Sequence, residues 1–226
     1  MNQKAIITGD LASSRKIDSR RREQLYSDLD SFLATLVPGL ITRYETYRGD
    51  SLQCESKSVQ TSLRAALMIR TYIMAYSAEG KTKKKTKTTK GYFNNEFDIR
   101  LSVGIGSVDF IKNNKISTSD GEAFRISGEA LDSIKNENQK LIVQTNQTEL
   151  NKELEALIIL IDALAQKWTQ NQAELIFHKL NEKKDDEIAA KLGISISAIN
   201  QRKRTSQWSA IEKAVKYFEY KTGKAI

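Results

Sequence analysis

The sequence predicts an α+β chain: a ferredoxin-like (βαββαβ) domain over residues 1–147, followed by an all-α domain with a helix-turn-helix over residues 148–226. Three observations predict it. The first part alternates short apolar runs with stretches of helical period. From about Thr148 the pattern is helical throughout. The run from Asp185 to Arg204 has the residue order of a helix-turn-helix.

Each element has a local reason. Ala5-Ile6-Ile7-Thr8 is an apolar run of strand length, and Arg20–Leu36 places Leu25, Leu29, Phe32, Leu33 and Leu36 on one side of a helix. Pro38-Gly39 marks the turn after it. Ile41–Tyr47 and Ser51–Glu55 are strand-like runs pinched around Arg48-Gly49-Asp50, a hairpin signal with glycine at the bend. Ser58–Tyr76 is a second helix, with Val59, Leu63, Ala66, Leu67, Ile69, Ile73 and Met74 at helical spacing. Asp98–Gly106 alternates as a strand, Gly121–Ile134 is a helix, and Leu141-Ile142-Val143 is a last strand. The first six elements form the split βαβ unit, in which the first strand lies centrally beside the hairpin.

In the helical part, Leu154, Leu157, Ile158, Ile161, Leu164, Ala165 and Trp168 form one stripe, while Ile159 and Leu160 are apolar on the other side. A helix apolar nearly all round is expected to be buried on more than one face. It reads as the connector between the domains and as part of a homodimer interface; the alternative is burial within one chain. In the helix-turn-helix, Ile188 and Leu192 form a short apolar stripe, Ala189 allows close crossing, and Gly193 ends the first helix. Ser195 caps the second, which packs through Ile196 and Ile199 and leaves Ser197, Gln201 and Arg204 together at i, i+4, i+7. That polar, basic face is expected to meet DNA, with Asn200 on its flank as a base contact and Arg202 and Lys203 on phosphates. Lys203 breaks the pattern, because it lies on the side expected to be apolar; it is read as snorkelling outward. Ser209–Tyr220 closes the helical core through Ile211, Ala214, Val215 and Phe218, with Trp208 packing at its start.

Composition bounds the chemistry. The single Cys54 excludes an internal disulfide framework, and with His178 the only histidine there is no cysteine/histidine zinc site. A metal would be held by oxygen, which points to Mg²⁺ or Mn²⁺. No apolar run reaches the roughly 18–20 residues of a membrane helix and no secretory signal is visible. A cytoplasmic protein with no membrane partner is therefore expected. Six lysines of the formal +8 sit in Lys81–Lys90, without which the charge would be +2. That tract reads as a solvated loop, or as an electrostatic hook for nucleic acid or polyphosphate.

Two aspartates hold the chemical interest of the first part. Asp10 follows the first strand and Asp50 sits at the hairpin tip, so the strand order could bring both carboxylates to one end of the sheet. Two carboxylates, water and the phosphates of a nucleotide complete the octahedron that Mg²⁺ prefers; turn capping is the alternative. Thr8-Gly9-Asp10-Leu11, Arg48-Gly49-Asp50-Ser51 and Arg100-Leu101-Ser102-Val103-Gly104-Ile105-Gly106 resemble the palm of class III nucleotidyl cyclases. That resemblance implies Asp10 and Asp50 as metal ligands, with Ser13, Ser14 and Arg15 offering hydroxyls and a cation to a nucleoside triphosphate; Arg125 on the later helix is a candidate phosphate contact, with a surface ion pair to Glu122 or Glu129 as the alternative. It departs from the pattern on the following helix, where Arg125 is followed by Glu129 rather than by the usual Asn and Arg. Asp98 and Asp109 flank the glycine-bearing strand as auxiliary carboxylates or turn caps.

The whole chain also resembles the SatD family of bacterial proteins. The resemblance rests on Ala5–Asp10, Arg48–Ser51, Gly121–Gly128 and the tryptophan-bearing segment Trp168–Ala173. It implies a bacterial cytoplasmic protein whose helix-turn-helix tail resembles sigma-factor region 4. The leading expectation is a DNA-binding transcriptional regulator with a nucleotide- and Mg-sensing palm. The alternatives are an active nucleotidyl cyclase or nucleotidyltransferase with a helical targeting module, and a protein-interaction adaptor.

Overall fold

A computed structural model of the chain describes residues 3–12, 18–47, 50–76, 97–110, 116 and 119–225. The lysine tract and Ser13, Ser14 and Arg15 lie outside the described residues. The elements run β1 (Lys4–Leu11), α1 (Ser19–Leu36), β2 (Ile41–Tyr47), β3 (Ser51–Ser56), α2 (Ser62–Ala75), β4 (Ile99–Gly106), α3 (Glu122–Ser133), β5 (Leu141–Thr145), α4 (Thr148–Ala165), α5 (Gln170–Leu180), α6 (Asp185–Leu192), α7 (Ile196–Thr205) and α8 (Trp208–Ala225). The second helix begins later than the periodicity suggests because Ser58 to Thr61 form a hydroxyl-bonded turn, with Thr61 N donating to Ser58 Oγ at 3.2 Å.

The sheet order is β2-β3-β1-β4-β5. β1 pairs antiparallel with both β3 and β4, and β2 pairs antiparallel with β3. This is the ferredoxin-like arrangement, to which α3 adds β5 parallel to β4. Alternation along β1 and β4 separates two faces. Ala5, Ile7, Leu11, Leu101, Val103 and Ile105 enter the main core with α1 and α2. The opposite face takes α3, where Thr8 Oγ1 lies 2.9 Å from Ser127 Oγ and Ser102 Oγ donates to Ser127 O at 2.6 Å. Gly104 allows that approach, since a Cβ there would sit 2.4 Å from both Ala123 O and Ser127 N. The glycine-punctuated strand therefore has a packing cause.

The main core does not stop at residue 148. Leu154, Ile158, Ile161, Trp168, Ile176, Ile211 and Phe218 belong to the same buried cluster as the sheet residues, and α5 packs on α2. Phe32, Tyr72 and Phe177 join α1, α2 and α5: Phe32 stacks on Tyr72 with centroids 3.9 Å apart and meets Phe177 edge-on at 5.6 Å. Among the described residues a second, smaller buried cluster, Leu175, Ile188, Ala189 and Ile199, edged by Leu192 and Ile194, joins α5 to the helix-turn-helix. In α4 the alternative of burial within one chain does not hold for Ile159 and Leu160, which are exposed by 46% and 64%. The helix has fewer neighbours than its apolar content suggested, packing on β5 and α8.

Candidate functional site

The helix-turn-helix is built from local signals. Gly193 adopts φ 62°, ψ 38° after α6, and Ile194 N returns to Ala189 O at 3.1 Å. This left-handed stop lets the chain reverse within three residues. Ser195 Oγ then accepts from Ala198 N at 3.2 Å and starts α7. Ile199 is fully buried against α6 and α5, so the opposite side of α7 faces outward. Ser197, Asn200, Gln201 and Arg204 are all exposed there. Ile196, expected to pack, is 46% exposed at the first turn.

Arg202 and Lys203, expected on phosphates, lie to the inward side of that face and are paired within the chain. Lys203 Nζ lies 2.6 Å from Asp185 Oδ2, and Lys179 Nζ lies 2.9 Å from Asp185 Oδ1, so one carboxylate ties α5, α6 and α7 together. Burial acts to raise the Asp185 carboxyl, but the two ammonium groups outweigh it and hold its pKa below the ordinary value. Arg202 turns back to α5, with Nη1 3.4 Å from Asn171 O and 3.7 Å from Glu174. The buried-side lysine is thus a clamp rather than a snorkelling cation. Trp168 supports the same unit from behind, donating Nε1–H to Ser206 O at 2.9 Å. His178 is buried, and burial together with the Lys191 and Lys183 charges lowers its pKa.

At the other candidate site the strand order does bring Asp10 and Asp50 to one end of the sheet. Leu11 N donates to Asp50 O at 2.8 Å, pinning the hairpin tip to the end of β1. The side chains, however, are engaged differently. Asp10 stands directly across from Arg100 on β4, which donates from Nε to Oδ1 at 2.8 Å and from Nη2 to Oδ2 at 3.2 Å. This two-point ion pair supplies the cation expected from a metal. Asp50 is felt by Tyr26 of α1, whose phenol is raised first by burial and then by the Asp50 charge. Among the described residues no three Asp, Glu, His or Cys side chains cluster as a metal site. Asp10 and Asp50 as arranged do not fit a divalent-metal pair, because one of them already has its counter-charge. Arg125 is also misplaced for the expected nucleotide site: α3 runs from the Gly106 end of β4, where Ser107 N donates to Glu122 Oε2 at 3.1 Å, toward Arg100, whose Nη1 reaches Lys135 O at 3.4 Å. Arg125 therefore sits near the far end of the sheet, 3.4 Å from Asp120.

The alternation of charged and apolar residues hid a buried ionic node. Arg70 of α2 is 0% exposed, paired with Asp98 at 3.1 Å and with Asp162 of α4. Asp162 Oδ2 also accepts from Lys140 N and from Gln166 Nε2, each at 2.9 Å. Asp98 accepts at its carboxylate from Ile99 N and at its carbonyl from Ala12 N, both at 2.8 Å. One guanidinium thus links the end of β1 to the helix that leads into the helix-turn-helix. Its signal was present in the sequence, since Arg70 interrupts the apolar stripe between Leu67 and Ile73 and Asp162 interrupts that between Ile161 and Ala165.

Compared with known proteins, residues 91–214 match the sequence profile of the SatD family. No curated protein matches significantly. A solved structure, of a bacterial light-regulated adenylyl cyclase, is similar at 15% identity and a TM-score of 0.39, over 69% of this chain and 80% of that one. A likeness that loose says nothing of the chemistry here.

Proposed function

The chain belongs to the SatD family, and we propose that it is a DNA-binding regulatory protein that presents the outward face of α7 to the major groove. The observation that carries this reading is the division of α7: Ile199 is buried, Arg202 and Lys203 are held inward by Glu174 and Asp185, and Ser197, Asn200, Gln201 and Arg204 are left exposed on one side. Those side chains can meet base edges and phosphates from a helix lying in the groove. The α6 turn and the Ser195 cap hold α7 at a set angle to the rest of the chain. The Arg70 node supplies a route by which a change at the β1 end of the sheet would reach α4 and the helices beyond it.

Metal-dependent nucleotide chemistry is not part of this proposal, since Asp10 would have to give up a two-point ion pair to take a divalent cation. The test is fluorescence anisotropy with a pool of randomised duplexes, followed by selection, at several salt concentrations. Enrichment of a sequence, together with a salt slope that falls by about one charge in Arg204→Gln, supports the reading. Binding that is absent at low salt, or unchanged when Gln201 and Arg204 are both replaced by Ala, overturns it.

A further inference from the structure

The connector helix carries a surface that is exposed among the described residues. Ala156, Ile159, Leu160 and Ala163 are all exposed and lie at i, i+3, i+4, i+7, one continuous stripe along α4. Leu160 is 64% and Ile159 46% exposed. The buried side of the same helix, through Leu150, Leu154, Ile158, Ile161 and Ala165, is already spent on the core. Isolated apolar residues on a surface are ordinary, but a helix stripe of two large and two small ones is the pattern of a helix–helix contact.

The charges around the stripe say what fits it. Glu149 lies at its N-terminal end, where it pairs at 2.9 Å with the exposed Lys152 of the same helix, a surface pair whose carboxylate can be shared with a second cation, and Lys167 lies exposed just beyond its C-terminal end. A parallel partner would set like charge beside like charge. An antiparallel copy of the same helix, with the two-fold axis near Ile158, sets Lys167 against Glu149 of the second copy and Leu160 against Ala156 of the second copy, each twice. Large meets small and plus meets minus through one operation, as an isologous contact requires. We propose that this face of α4 is the surface through which two copies of the chain pair antiparallel. The stripe lies apart from the outward face of α7, because α4 packs on β5 and α8 while α7 packs on α5, α6 and α8. Two helix-turn-helix units related by a two-fold suit a site of two half-sites.

The experiment is sedimentation velocity on the full chain across micromolar concentrations, with circular dichroism to confirm folding of every variant. The wild type is expected to show a concentration-dependent dimer. Leu160→Glu should raise the dissociation constant by roughly tenfold or more while leaving the melting temperature nearly unchanged, since the side chain is mostly in water. Lys167→Glu should weaken the dimer through the Glu149 of the second copy, and Glu149→Lys combined with Lys167→Glu should restore it. A monomer at every concentration overturns the proposal. So does a dimer indifferent to Leu160→Glu, or a charge swap that fails to restore pairing. The Ser197, Gln201 and Arg204 variants should dimerise as the wild type does, so loss of DNA binding and loss of pairing are separable.

Discussion

The end of the sheet at Asp10 and the outward face of α7 were both candidate sites, and the fold treats their charges in opposite ways. At the sheet end, Asp10 is met by Arg100, and Asp98 by Arg70, which also holds Asp162. On α7, the inward cations are met by Asp185 and Glu174, while Arg204 stays exposed beside Ser197 and Gln201. Charges neutralised within the chain stabilise or couple elements. Charges left in water are available to a ligand, and this difference is the basis for proposing the α7 face as the functional surface.

The largest expected effect tests the closed side of that contrast. Arg70→Ala leaves Asp162 buried without its counter-ion, and should cost about 3–5 kcal/mol in denaturant unfolding. A loss below about 1 kcal/mol would show that the node is not structural. On the open side, Arg204→Ala should weaken DNA binding by about 1–3 kcal/mol with no change in the unfolding midpoint. A matching loss of stability would mean that Arg204 belongs with the closed charges. Asp10→Asn should cost about 1.5 kcal/mol of stability through the loss of its charge-assisted bonds, and Mg²⁺ or Mn²⁺ with any nucleoside triphosphate should leave the wild-type melting temperature where it was. A metal-dependent rise, lost in Asp10→Asn, would reopen the sheet end as a ligand site.

The smallest expected effect is a pH dependence. His178 is neutral by preference in the fold, its pKa lowered by burial and by two lysine charges. The unfolded chain therefore takes up its proton first as pH falls. The stability tied to neutral His178 is whole above its ordinary value of 6.5 and falls away as pH drops from there through the lowered folded value. Midpoints measured across this window should decline in the wild type and decline less in His178→Gln. Parallel curves would assign the decline to other groups.

What was legible in the sequence was what is decided within one or two turns of chain. The periods of α1, α2 and α4, the stop at Gly193 and the cap at Ser195 were read from neighbours a few positions apart, and the strand order followed from the sequence of elements. The apolar content of α4 was read correctly, but whether Ile159 and Leu160 would be covered depended on which elements arrive at that helix. Arg70 and Asp162 were visible as interruptions of apolar stripes, yet nothing local says that two interruptions 92 residues apart meet.

By itself, then, the sequence determined the α+β class, the ferredoxin-like order and the helix-turn-helix with its exposed polar face, because helix period, strand alternation and turn chemistry are short-range. Only the tertiary structure decided which charges remain available. The β1–β4 register pairs Asp10 with Arg100, 90 residues away, and the packing of α7 on α5 and α6 hands Lys203 to Asp185, 18 residues away. A carboxylate near the end of a strand and a lysine on α7 look like ligand contacts until their partners arrive through space. The physical reason is that Coulomb attraction acts over a few ångströms of separation and takes no account of distance along the chain.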